Sequence, residues 1–304
     1  MNKLQRLLEQ SNELPSLPEI YLRVSELLES ENATAHQIGE AVQTDLSLTA
    51  KLLKMINSAY YGLPKQVTSI SQAVSLLGRQ RLKEVLMGSV LSVVFSDLEI
   101  ANFSMRDFWR HSIKTAIIAR HLAMQNVNII DHEAFFTAGL LHDTGRLILA
   151  KAEPEIVAEI DELVKTEGRD VVELETEKLG VTHIQVGVAL MKKWDLPSVL
   201  MLCVAKHHET EHEGTYAIDT SIVYLANLLS QHDLDNEEED MQAILSTIPN
   251  WQQTECSLGQ VTVACQLADE QWVEVMQSLG MGDMEISDEA NDEYDFNSDL
   301  GRFV

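Results

Sequence analysis

The chain of 304 residues carries ten histidines, and five of them stand where they could do chemistry. His142 is followed by Asp143 in LLHDTGRL, residues 140–147. A neutral imidazole beside a carboxylate suits zinc, iron or manganese. His111 falls in the stripe Phe108, His111, Ser112, Thr115, Ala119 and Leu122 on the inward face of a long helix. His142 falls with Phe135, Ala138 and Leu141 near one face of the next. Two antiparallel helices can bring such groups together, as helical bundles do when they build metal sites. His183, at a helix start, and His207-His208, at a helix end, offer a second cluster. Paired metal ions serve phosphoester hydrolysis by clamping the attacking and leaving oxygens. The same residues also read as a hydrogen-bonded polar core, because buried polar groups need partners and this set could satisfy itself. Another His-Asp pair, His232-Asp233, adjoins an acidic run and is assigned nothing.

The elements that must position these residues are helices. Thr34-Ala-His-Gln37, Ser69-Ile-Ser-Gln72 and Thr182-His-Ile-Gln185 each read as a capping box. Asp45, Ser104 and Asp131 are further N-caps. Glycine and proline in YYGLP, residues 60–64, stop the helix that carries Leu48, Leu52, Met55 and Ile56. The helix opened by Asp131 is expected to run through His142 and end at Gly145. Further helices are expected at 155–165, 170–179, 219–231 and 258–279. No alternating strand is evident, so the fold class is all-α.

Composition narrows the function. Net charge is −26, which repels phosphate backbones and argues against nucleic-acid or anionic-membrane binding. RQRLK at 79–83 and the series Arg106, Arg110, Lys114 and Arg120 read as solvated helix faces. The second series has an alternative role against an acidic partner or a nucleotide phosphate. No stretch reaches the roughly 20 apolar residues of a membrane span, and the N-terminus lacks a signal-peptide core. Three scattered cysteines fit a reducing compartment. The expectation is a soluble cytoplasmic protein. Tyr60, Tyr61 and Pro64 read as turn and core packing, and Trp109 as a core aromatic.

The order of motifs is similar to the HD-type metal-dependent phosphohydrolase superfamily: WRHS (109–112), GLLHDTGRL (139–147), THIQVGVALMKKWDLP (182–197) and KHHE (206–209). The N-terminal half narrows the branch. LPSLPEIYLRV (14–24) and DLSLTAKLLKMINSAYYGLPKQVTSISQAVSLLG (45–78) resemble the HDOD family, the HD-related output domain. The resemblance covers roughly residues 10–230. It implies an N-terminal helical lobe (1–100) packed on an HD-like helical lobe (101–232). A C-terminal helical extension (233–284) and an acidic, disordered tail (285–304) follow. It also implies bacterial signalling by a module without demonstrated catalysis, acting through a regulatory protein partner.

Residue by residue, the resemblance implies a first metal histidine at His111, the pair at His142-Asp143, and further histidines at His183, His207 and His208. The later metal aspartate is replaced by Asn227, and a Gly-Tyr-Pro motif by Gly214-Thr215-Tyr216. Arg146 stands where a lysine often follows and is the phosphate-contact candidate. Asn227 carries no charge, and losing one anionic ligand weakens the hold on a divalent ion. The expectation is therefore a degenerate site in a non-catalytic interaction module. The rival is a phosphohydrolase with Asp143 in the catalytic role, and between them lies a sensor that binds metal or a nucleotide without turnover.

Overall fold

The structure is a computed structural model that describes residues 15–95, 100–232, 238–279 and 281. The acidic stretch 285–304 lies outside the described residues, as does 233–237 of the acidic run. Among the described residues every regular element is an α-helix or a short 3-10 turn. None of these helices is long and apolar enough to cross a membrane.

Five helices come first: α1 Glu19–Glu29, α2 Ala35–Gln43, α3 Leu46–Ile56, α4 Ile70–Leu77 and α5 Arg79–Val94. Eight follow: α6 Met105–Gln125, α7 Glu133–Leu141, α8 Thr144–Ala152, α9 Pro154–Glu167, α10 Val171–Lys178, α11 His183–Lys193, α12 Ser198–Lys206 and α13 Ala217–Leu229. α14 Glu238–Thr247 and α15 Leu258–Ser278 complete the series.

Local chemistry sets the helix starts. Thr34 and Thr182 form full capping boxes with Gln37 and Gln185. The box expected at Ser69 is half made. Its hydroxyl accepts from Gln72 N–H at 3.2 Å, but the Gln72 side chain accepts from Thr68 N–H instead. A full box at Ser257 and Gln260 opens α15.

One continuous apolar core runs from Leu17 to Met281. α6 is its axis, packed along α7, α13 and α15. α5 leans on α7, and α15 reaches back to α3 and the 3-10 turn Ala59–Tyr61. Tyr60 and Tyr61 pack there as expected, with ring centroids 4.9 Å apart and Phe136 5.8 Å from Tyr60.

Arg106 is exposed as expected, but most of the other basic residues do not lie on solvated faces. Lys114 is buried, with its ammonium 2.6 Å from Asp269 on α15 and 3.1 Å from the His232 carbonyl. Arg120 donates to Glu133 at 2.9 Å and to the Tyr60 hydroxyl at 3.2 Å. Arg81 reaches the same carboxylate at 2.9 Å, and Arg79 donates to the carbonyls of Ser30 and Ala33. The long stems of these side chains lie along apolar surface while their heads find fixed acceptors. Charge alone cannot reveal that in a sequence.

Candidate metal centre

Two glycines bring the ligand-bearing helices together. Gly139 lies against the backbone of Ala116, where a Cβ would stand 2.6 Å from the Ala116 Cα. That closeness sets α7 against α6. Gly145 lies against the His183 carbonyl and the Gly187 N–H, with no room for a Cβ, and sets α8 against α11. Gly145 therefore does not end a helix. α7 stops at Leu141, and α8 starts again at Thr144. His142 and Asp143 sit in the break between two helices rather than on one helix face, so the continuous helix expected from Asp131 to Gly145 is in fact two.

Every histidine singled out in the sequence reaches one place. His111 comes from α6, His183 opens α11, and His207 and His208 follow α12. Asp143 stands between two groups, and each of its oxygens serves one. Oδ2 lies 3.7 Å from His111 Nε2 and 3.6 Å from His142 Nε2. Oδ1 lies 3.4 Å from His183 Nε2 and 3.3 Å from His207 Nε2. The ligand atoms of Asp143, His183, His207 and His208 lie within 4.8 Å of one another, as do those of His111, His142 and Asp143.

The outer ring nitrogens decide the tautomers. His142 Nδ1 donates to the Gly139 carbonyl and His207 Nδ1 to the Val204 carbonyl, both at 2.7 Å. His183 Nδ1 is 2.7 Å from the buried carboxylate of Glu175. His111 Nδ1 is 2.9 Å from Ser230 Oγ, a hydroxyl that can accept from the ring or donate to it. The Nδ1 atoms of His142, His183 and His207 thus carry protons, and their Nε2 lone pairs turn inward.

The Nε2 atoms meet in pairs, His111 with His142 and His183 with His207, each at a separation of 3.1 Å. His183 and His207 present two acceptors, which that close need a cation between them. Burial lowers His111 to about 4 and His142 to about 3, against the opposing pull of Asp143. Burial also lowers His208 to about 2. Burial works to raise the Asp143 carboxyl, but the facing histidines and Arg146 outweigh it and hold it well below the usual range. Its Oδ1 is buried and receives no hydrogen bond.

The donor set fits a divalent transition metal. Nitrogens about 2.1 Å from a shared ion lie about 3.0 Å apart at a right angle and about 3.4 Å apart at a tetrahedral angle. The observed 3.1 Å lies between these values, and imidazole with carboxylate suits zinc, iron or manganese.

Asn227 and Arg146 complete the neighbourhood. Asn227 is buried and donates its amide to the His207 carbonyl at 3.1 Å. Arg146 lies 3.9 Å from Asp143 Oδ2 and 2.5 Å from Asp161. Sequence reasoning missed Glu175, Ser230 and Asp161. Glu175 sits in VVELETEK, where nothing distinguishes it from its exposed acidic neighbours.

Comparison with known proteins agrees with this fold. The HDOD domain model matches residues 14–210. An uncharacterized protein of Treponema pallidum (strain Nichols) is 26% identical over 201 residues, 66% of this chain. The match spans only 39% of that relative's length. A crystal structure from Shewanella amazonensis SB2B, of a protein provisionally named a phosphohydrolase, superimposes with a TM-score of 0.75 at 24% identity. It covers 90% of this chain and 97% of that one. A protein of Marinobacter aquaeolei VT8, provisionally named a signal transduction protein, gives 0.69 at 22% identity, covering 92% of this chain and 64% of that one. At these identities the two structural likenesses are ones of fold.

Proposed function

Because the chain belongs to the HDOD family, we propose that it is a regulatory signalling protein that acts through a protein partner and keeps a metal-binding centre without turnover. One observation carries the metal half of this reading: inward Nε2 lone pairs, fixed by outward Nδ1 donors, converge around an unpartnered Asp143 oxygen. A self-satisfied polar core would set a donor against each acceptor. His111, His142 and Asp143 would hold one ion, and Asp143, His183, His207 and His208 a second. When bound, divalent ions supply Lewis-acid polarisation of a phosphoryl oxygen. Asn227 argues against hydrolysis, because a neutral amide tied to a backbone carbonyl adds no charge and cannot take a proton from water.

The test is metal content per chain, measured on protein purified without chelator or affinity-tag metal, beside Asp143→Ala. A near-stoichiometric transition metal that is lost in the variant supports the centre. No metal, with an unchanged fold in the variant, removes it. Pull-downs across growth conditions that find no stoichiometric partner remove the interaction role.

The hydrolase reading keeps one specific support. Arg146 presents a part-exposed guanidinium beside the centre, in reach of a phosphate. Metal-loaded protein tested on nucleotide and cyclic-dinucleotide panels decides it. Hydrolysis that disappears in Asp143→Ala sustains that reading, and silence across the panel ends it.

A further inference from the structure

The two halves of the centre differ in charge. Beside His111 and His142 the added neighbours carry no negative charge: the Asn227 amide, the Ser230 hydroxyl and the Arg146 guanidinium. Beside His183 stands a second buried carboxylate, Glu175. A single oxygen of Glu175 accepts both the His183 backbone N–H at 2.8 Å and its Nδ1–H at 2.7 Å. A carboxylate behind a ligating imidazole fixes the ring and raises its basicity. Counting Asp143 as shared, the His183 half gains an anion that the His111 half lacks.

Each half keeps one part-exposed histidine, His208 beside the buried His183 and His207, and His111 beside the buried His142. The Arg146 side chain is 26% exposed. Arg146 approaches Asp143 through Oδ2, the oxygen on the His111 side. The half that is short of negative charge is thus the one beside a part-exposed guanidinium.

We propose that the His183 half keeps a resident ion through Glu175, while the His111 half takes its ion only together with a phosphoryl anion that supplies the charge Asn227 does not. This rests on the metal reading above. Arg146 binds the incoming anion in exchange for Asp161, since a guanidinium fork suits a phosphate as well as a carboxylate. Coupling of this kind is reciprocal: the anion tightens the second ion, and the ion tightens the anion by the same factor. The centre then reports a phosphorylated ligand by changing its own metal content.

The experiment is a manganese titration of chelator-stripped, full-length protein, with and without inorganic phosphate below its precipitation limit. Ions per chain and their affinities are read by calorimetry and elemental analysis. Wild type should take up one ion alone and a second with phosphate. Asn227→Asp should take up both without phosphate. Glu175→Gln keeps an oxygen that can accept both His183 bonds but loses the charge, and should weaken the first ion by about 10–100-fold. Two ions in wild type without phosphate, no second ion with phosphate, or an unchanged first affinity in Glu175→Gln would each overturn the proposal. Uptake of no manganese by wild type under either condition would overturn the metal reading itself, a distinct result.

Discussion

Gly145 lies against the main-chain carbonyl of His183, so the helix that follows Asp143 and the helix that begins at His183 touch backbone to backbone. A Cβ at this position has nowhere to go, because the obstacle is peptide rather than a flexible side chain. Gly145→Ala should destabilise the protein by about 3 kcal/mol, as overpacking at a rigid contact does. Gly259, in the first turn of α15, meets nothing within 4 Å, so Gly259→Ala should stabilise the protein, by up to about 1 kcal/mol. Urea denaturation of both variants checks the pair. Equal effects would show that the crossing yields.

Much of this centre was legible in the sequence because its residues are of unusual type at helical spacing. His111, His142, Asp143, His183, His207 and His208 all arrive where the motifs put them. The helix break at His142-Asp143 was not legible. The apolar spacing through Leu140 and Leu141 continues into Leu147, and Gly145 reads equally as a helix end or as a close crossing. Glu175 was hidden for a different reason. Carboxylates are exposed by default, and its burial depends on α10 meeting the start of α11, a long-range fact. Lys114 and Arg120 misled in the same way, as charges on a helix whose polar stripe is covered by α15 and α7.

The junction of α5, α6 and α7 should give the protein a composite pH dependence. Glu84 is buried, and burial followed by the neighbouring Glu133 raises its carboxyl well above the usual range. The folded state therefore holds a proton that the unfolded chain releases above about 4.5. That contribution is complete below the unfolded value and is lost as pH rises through the folded one. Glu84→Gln mimics the protonated form. Its stability relative to wild type should be near zero in acid and should improve as pH rises. Melting temperatures measured from pH 4 to 9 that run parallel for the two proteins would refute this.

Glu133 works in the opposite sense. Burial works to raise its carboxyl, but the bond with Glu84 and the Arg120 and Arg81 guanidinia bring it down to about 2. Its contribution is present above the unfolded value and is lost as pH falls towards about 2. Glu133→Gln leaves two partly buried guanidinia short of an anion and should cost about 3–5 kcal/mol near neutral pH. The loss should shrink in acid. Chemical denaturation at pH 7 and pH 3 measures both arms, and a pH-independent loss would mean that packing, not charge, holds the junction.

Lys114 and Asp269 fasten α15 to α6. Lys114→Met removes the ammonium and leaves Asp269 facing the helix interface, so it should destabilise by about 3 kcal/mol and expose α15 to protease. The double variant Lys114→Met with Asp269→Leu should recover most of the loss, because two apolar groups can replace a buried pair. Limited proteolysis followed by mass spectrometry locates the first cut. Equal resistance in the single variant and wild type would mean that apolar packing alone carries α15.

Asp143→Asn should cost more with metal than without. In chelator, the wild-type carboxylate is favoured by the facing histidines and Arg146, but its Oδ1 has no hydrogen bond and lies 3.4 Å and 3.3 Å from two histidine nitrogens. An amide at the same position can donate to those nitrogens and offset part of the lost charge. With manganese the gap widens. A ligand that binds only the folded state stabilises it by about 2.7 kcal/mol at a hundredfold excess over its Kd, and the variant has lost the anion both ion positions share. If Asp143→Asn melts below wild type by the same margin in both conditions, Asp143 is a structural residue and the metal plays no part in holding the fold.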